Sequence, residues 1–64
     1  MPGSRVRVVI ADDHPFFRDG VSRGLVRSGL VEVVAEAADG HEALAAIRAE
    51  RPAVALVDYQ MSGV

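Results

Sequence analysis

The sequence predicts an α/β fold, a β-α-β-α-β chain around a parallel sheet, and three observations predict it. Two short apolar runs, Val8-Val9-Ile10-Ala11 and Ala53-Val54-Ala55-Leu56-Val57, each end abruptly in acid, at Asp12-Asp13 and at Asp58. Aliphatic runs without polar alternation read as strands covered on both faces, as in a parallel sheet. Between them, two stretches with helical spacing flank a third, more polar strand-like run, an alternation that argues for right-handed crossovers.

Taken in order, Arg5 to Ala11 is the first strand, with Arg5 and Arg7 fraying into solvent at its start. Asp12-Asp13-His14-Pro15 breaks it, and Pro15 suits the first turn of a helix, where its missing N–H is harmless. Phe17, Val21 and Leu25 follow at four-residue spacing and predict one buried stripe, with Phe16 exposed beside it. Gly20 and Gly24 lie within this helix, where small residues suggest a close helix–sheet approach, and Gly29 supplies the stop. Val31 to Ala37 is the second strand, polar enough for an edge, with Glu32 and Glu36 on a solvated face. Asp39-Gly40-His41-Glu42 resembles a capping box, Asp39 capping and Glu42 reaching back, with His41 at the surface. The second helix runs through Ala43, Leu44 and Ile47 until Arg51-Pro52 ends it, because the residue before proline avoids helix. The third strand, Ala53 to Val57, is the most apolar and delivers Asp58; a loop begins at Tyr59.

The bulk properties narrow the class. A chain of 64 residues is at most one small domain, and at that size only about 60% of the unfolded surface is buried. A hydrophobic content of 50% is too high for a disordered segment. With no cysteine, neither disulfides nor thiolate metal sites are available. Seven basic residues, all arginine, against nine acids give a net charge of −2, so nothing points to phosphate-driven nucleic-acid binding by this chain. No run approaches membrane-spanning length, and Met1-Pro2-Gly3-Ser4-Arg5 lacks a signal-type apolar core. The expectation is a cytoplasmic protein, or a piece of one, that does not touch a membrane.

In open α/β sheets, ligands bind just beyond the carboxyl ends of the strands. If the first and third strands are parallel neighbours, Asp12, Asp13 and Asp58 converge there and suit a hard cation. Magnesium takes oxygen ligands at about 2.0–2.1 Å, keeps several waters and uses one or two carboxylates. A carboxylate beside it can attack phosphorus while the cation neutralises developing charge. On the residues alone, plainer readings stand beside this one: Asp12 as a turn residue, Asp13 as a helix N-cap and Asp58 as a turn former. His14 reads as a helix-entry residue rather than a ligand or base.

The local wording sharpens the choice. Val9-Ile10-Ala11-Asp12-Asp13-His14-Pro15-Phe16-Phe17-Arg18-Asp19-Gly20 closely resembles the opening of response-regulator receiver domains. It is most similar to the branch with a C-terminal LuxR-type helix-turn-helix DNA-binding domain. Val33 to Ala43 and Arg51 to Asp58 continue the resemblance in order and spacing, so it covers about Arg5 to Gly63. It implies a flavodoxin-like receiver fold, truncated to β-α-β-α-β with strand order 2-1-3, residues 1–64 forming the N-terminal portion of the domain. It further implies that Asp58 accepts a phosphoryl group from a sensor histidine kinase. Asp13 and Asp58 would bind Mg2+ directly, Asp12 through water, and the Gln60 backbone carbonyl would be a further ligand. DNA would be reached only through an effector domain.

Two departures from the family pattern stand out. Met61-Ser62-Gly63 replaces the usual methionine-proline-glycine, and the switch hydroxyl and phosphate-binding lysine belong to later strands not represented here. The resemblance therefore leads to weak magnesium binding by these 64 residues alone. A third strand without a second neighbour invites self-association, through that strand or through the helix faces. The expected role is a signalling module rather than an enzyme. The alternatives are an inactive self-associating half-domain and an aspartate-nucleophile phosphohydrolase; the latter resembles Asp-x-Asp after its first strand, whereas here the acids are adjacent. Asp12-x-His14 also resembles a cobalamin-binding pattern, but Phe17 stands where that pattern wants glycine.

Overall fold

A computed structural model describes residues 5–58. Its elements follow the expected order: β1 (Val6–Ala11), α1 (Pro15–Arg27), β2 (Val31–Ala37), α2 (Gly40–Glu50) and β3 (Val54–Val57). The strands form one parallel sheet in the order β2-β1-β3. The central strand carries the core: Val8, Val9, Ile10 and Ala11 are all buried, and Val9 is fully enclosed. Ala11 packs with Ala37 and Ala43, a contact that brings α2 onto the ends of β1 and β2. Small side chains at all three positions allow the close layering that interior packing demands.

Local signals explain the element ends. Pro15 opens α1 after His14, which has extended backbone and provides no side-chain cap. Gly29, at φ 77°, takes the left-handed conformation that follows the helix, a conformation costing a residue with Cβ roughly 1–2 kcal/mol. At α2, the Asp39 carboxylate accepts the Glu42 N–H at 2.8 Å. Glu42 reaches back as expected, but its carboxylate accepts from Ala38 rather than from Asp39. Arg51 closes α2 in the left-handed region before Pro52.

Several expectations are corrected. Arg7 is half-buried rather than frayed: its guanidinium pairs with the Glu50 carboxylate at 2.9 Å and donates to the Glu50 carbonyl. Phe17 is 64% exposed, and Ser22 is the buried residue of α1, with Val21 and Leu25 half-buried. Arg18, Val21, Ser22 and Leu25 form the inward stripe, and the Arg18 head group reaches carbonyls at the strand ends. Gly20 and Gly24 are not sites of close approach, since a Cβ at either would meet nothing within 4 Å. The most apolar strand is not covered: Val54, Leu56 and Val57 are 42–44% exposed. Within the described residues β3 pairs only with β1, so its side chains lack the second neighbour their composition suits.

Candidate metal centre

The register explains why three acids meet. Ala11 lies opposite Val57 across the β1–β3 pair and opposite Ala37 across the β1–β2 pair. The next residues are pinned the same way: the Asp12 N–H donates to the Ala37 carbonyl at 3.0 Å, and the Asp58 N–H donates to the Ala11 carbonyl at 2.9 Å. Parallel strands ending in register thus place Asp12, Asp13 and Asp58 on one rim of the sheet. Carboxylate oxygens of all three, with a ring nitrogen of His14, lie within 4.8 Å of one another.

Each side chain is held differently. Asp12 is buried, at 7% exposure, and its Oδ1 accepts the His14 N–H at 2.8 Å, closing the turn into α1. The turn-residue reading of Asp12 therefore holds alongside the clustering. Asp13 is not the N-cap; that position belongs to His14. The His14 Nδ1 lies 2.9 Å from Asp13 Oδ1, 3.1 Å from Asp12 Oδ1 and 3.9 Å from Asp58 Oδ2. The hydrogen bond with Asp12 raises the His14 pKa above its ordinary value, and the charge of Asp13 adds to the effect. One imidazole thus offsets part of the repulsion among three carboxylates.

The donor set fits a hard divalent cation. Three carboxylates supply oxygen ligands of the kind magnesium takes, and Asp12 and Asp58 line an open cavity at the strand ends. Gln60, whose carbonyl was expected to complete the set, lies outside the described residues, as do Tyr59, Met61, Ser62 and Gly63.

Two residues of this neighbourhood were missed in the sequence. His14 enters the helix as expected, yet its ring also turns into the acid cluster. Arg18, one turn into α1, donates to the Asp12 carbonyl at 2.6 Å, to the Ala37 carbonyl at 3.3 Å and to Glu36 Oε1 at 3.2 Å. Its spacing of four from His14 placed it on the right helix face, but a basic residue between Phe17 and Asp19 reads as solvated.

Comparison with known proteins decides the family. The sequence profile of the response regulator receiver domain matches residues 8–64. The chain belongs to that family. Its relatives include the probable transcriptional regulatory protein NarL of Mycobacterium tuberculosis, 58% identical over 60 residues, a match covering 94% of this chain and 28% of the relative. The signal receiver domain of NarL from the same organism superposes with a TM-score of 0.94 at 56% identity, over 97% of this chain and 50% of that one. A LuxR-family two-component response regulator from Aurantimonas gives a TM-score of 0.86 at 38% identity, over 94% of this chain and 43% of that one. This receiver-family chain therefore spans 28% of the length of that curated relative. The sheet order 2-1-3 agrees with the flavodoxin-like fold the resemblance implied. Among the described residues, no helix is long and apolar enough to cross a membrane.

Proposed function

We propose that this receiver works as the phosphoryl-accepting switch of a two-component system, with Asp58 as the acceptor for a sensor histidine kinase. The observation that carries this reading is the gathering of Asp12, Asp13 and Asp58 at one strand-end rim. An Asp58 carboxylate oxygen attacks phosphorus of a phosphohistidine; the O–P bond forms as the P–N bond breaks, and the departing imidazole takes up a proton. Mg2+ held at this rim would supply neutralisation of charge on the transferred phosphoryl oxygens. Asp13 and Asp58 would hold the ion directly and Asp12 through water, with the Gln60 carbonyl as the further ligand that the family resemblance implies. Asp12, being buried, also fixes the turn that presents Asp13. The relay then passes to a DNA-binding effector domain, as the resemblance to the helix-turn-helix branch implies.

The test is labelling of the full chain with a radioactive small phosphodonor in Mg2+, beside its Asp58→Asn variant. Label that depends on both Asp58 and Mg2+ and decays slowly supports the switch. Rapid turnover of donor without a stable adduct supports the phosphohydrolase instead.

A second reading concerns assembly, and the exposure of β3 favours it. Val54, Leu56 and Val57 present apolar surface, and Leu56 and Val57 line a cavity of about 840 Å³ together with Ile10, Phe17 and Val21. The occupant this surface suits is a second copy of the chain. A net charge of −2 leaves little repulsion between copies.

A further inference from the structure

The Asp12 carbonyl, the acceptor of the shortest Arg18 bond at 2.6 Å, belongs to the peptide unit that joins Asp12 to Asp13. That unit is planar, so fixing its oxygen fixes the direction in which the backbone leaves toward Asp13. The same guanidinium donates at 3.3 Å to the Ala37 carbonyl, which already accepts the Asp12 N–H. Arg18 thus grips Asp12 from its carbonyl side while β2 grips it from its amide side. Its Nε pairs with Glu36 at 3.2 Å, and its side chain is only 19% exposed. A planar fork of five donors can satisfy these acceptors together, which a single ammonium cannot.

From these contacts we propose that Arg18 is a positioning residue for the divalent-cation site, holding the Asp12–Asp13 peptide so that both carboxylates stay directed toward Asp58. The inference rests on the cation-site reading above and adds a residue that touches neither cation nor phosphoryl group. It also fixes the sign of an effect. A guanidinium near the carboxylates repels a cation, so as a mere neighbouring charge its removal strengthens metal binding. As a positioning group its removal weakens binding, by the roughly 10–100-fold typical of residues that orient metal ligands.

The experiment titrates Mn2+, which favours the same hard oxygen ligands as magnesium, into the full chain and follows free Mn2+ by electron paramagnetic resonance. Arg18→Ala is expected to bind at least about tenfold more weakly, with Arg18→Lys between it and the parent. Arg7→Ala is the structural control, because Arg7 makes a similar staple to Glu50 at the opposite end of β1. It is expected to lower thermal stability while leaving Mn2+ affinity in the parent range. Unchanged or tighter binding by Arg18→Ala overturns the proposal, as does an equal loss in Arg7→Ala. Should circular dichroism show Arg18→Ala unfolded, Arg18→Lys decides: weaker binding by a folded variant supports the role, and parental binding overturns it. Asp13→Asn separates the two layers. If it binds Mn2+ as the parent does, the site itself is lost and Arg18 has nothing to position; if it fails while Arg18→Ala does not, only the Arg18 role falls.

Discussion

At the scale of single residues, the imidazole of His14 registers the carboxylates gathered around it. Its Nδ1 lies within 3.1 Å of carboxylates from Asp12 and Asp13, and both favour the charged ring. The folded-state midpoint therefore lies above the ordinary 6.5. The stabilising contribution is fully present below the unfolded midpoint and is lost as pH rises through the folded one. Proton NMR of the His14 ring should show a midpoint above the ordinary histidine value, and Asp12→Asn or Asp13→Asn should lower it. Saturating Mg2+ should lower it too, because cation and imidazolium compete for the same oxygens; a midpoint indifferent to Mg2+ and to both variants counts against the cluster. The acids were legible because Asp12 and Asp58 each directly follow an apolar run, with Asp13 beside Asp12, and strand ends are where α/β sheets bind. The ring of His14 was not, since backbone spacing says nothing about a side-chain torsion, and the role of Arg18 depends on carbonyls contributed by two separate strands.

At the scale of elements, the two helices begin differently, and their sensitivity should differ with them. α2 has a reciprocal cap, Asp39 accepting from Glu42 N–H and Glu42 accepting from Ala38 N–H. α1 has Pro15 in its first turn and no side-chain cap. Asp39→Ala should therefore cost about 1 kcal/mol, read as a lower urea midpoint with unchanged slope, and Asp39→Ser should recover most of it. A midpoint unmoved by Asp39→Ala would show that the cap contributes nothing. This box was readable because capping is a matter of residues three or four apart. The buried face of α1 was read only in part: Val21 and Leu25 lie on the inward stripe, but Phe17 does not, because which neighbouring row turns inward depends on what covers the sheet. Arg18 takes an inward place with its bonds to strand carbonyls, while Phe17 stays mostly exposed at the cavity.

At the scale of the whole molecule, strand order sets both the site and its exposed flank. With β1 in the centre, the acids of β1 and β3 meet, and the same arrangement leaves the outer edge of β3 without a partner among the described residues. An edge of this kind is commonly blunted by lysine or proline, and Val54-Ala55-Leu56-Val57 contains neither. Two copies meeting there about a twofold axis would pair their edges antiparallel and cover the apolar flank on both sides. Sedimentation velocity over a wide concentration range should show reversible association of the chain. Leu56→Arg, which puts a charge on that flank while its apolar stem still lies along the cavity wall, should shift the population to monomer with the helical content unchanged. Association that persists in Leu56→Arg would move the contact to the exposed helix faces around Phe16 and Phe17. A folded parental monomer at every concentration would instead show that β3 tolerates its bare edge, and the assembly reading would fall while the acid site stood untouched.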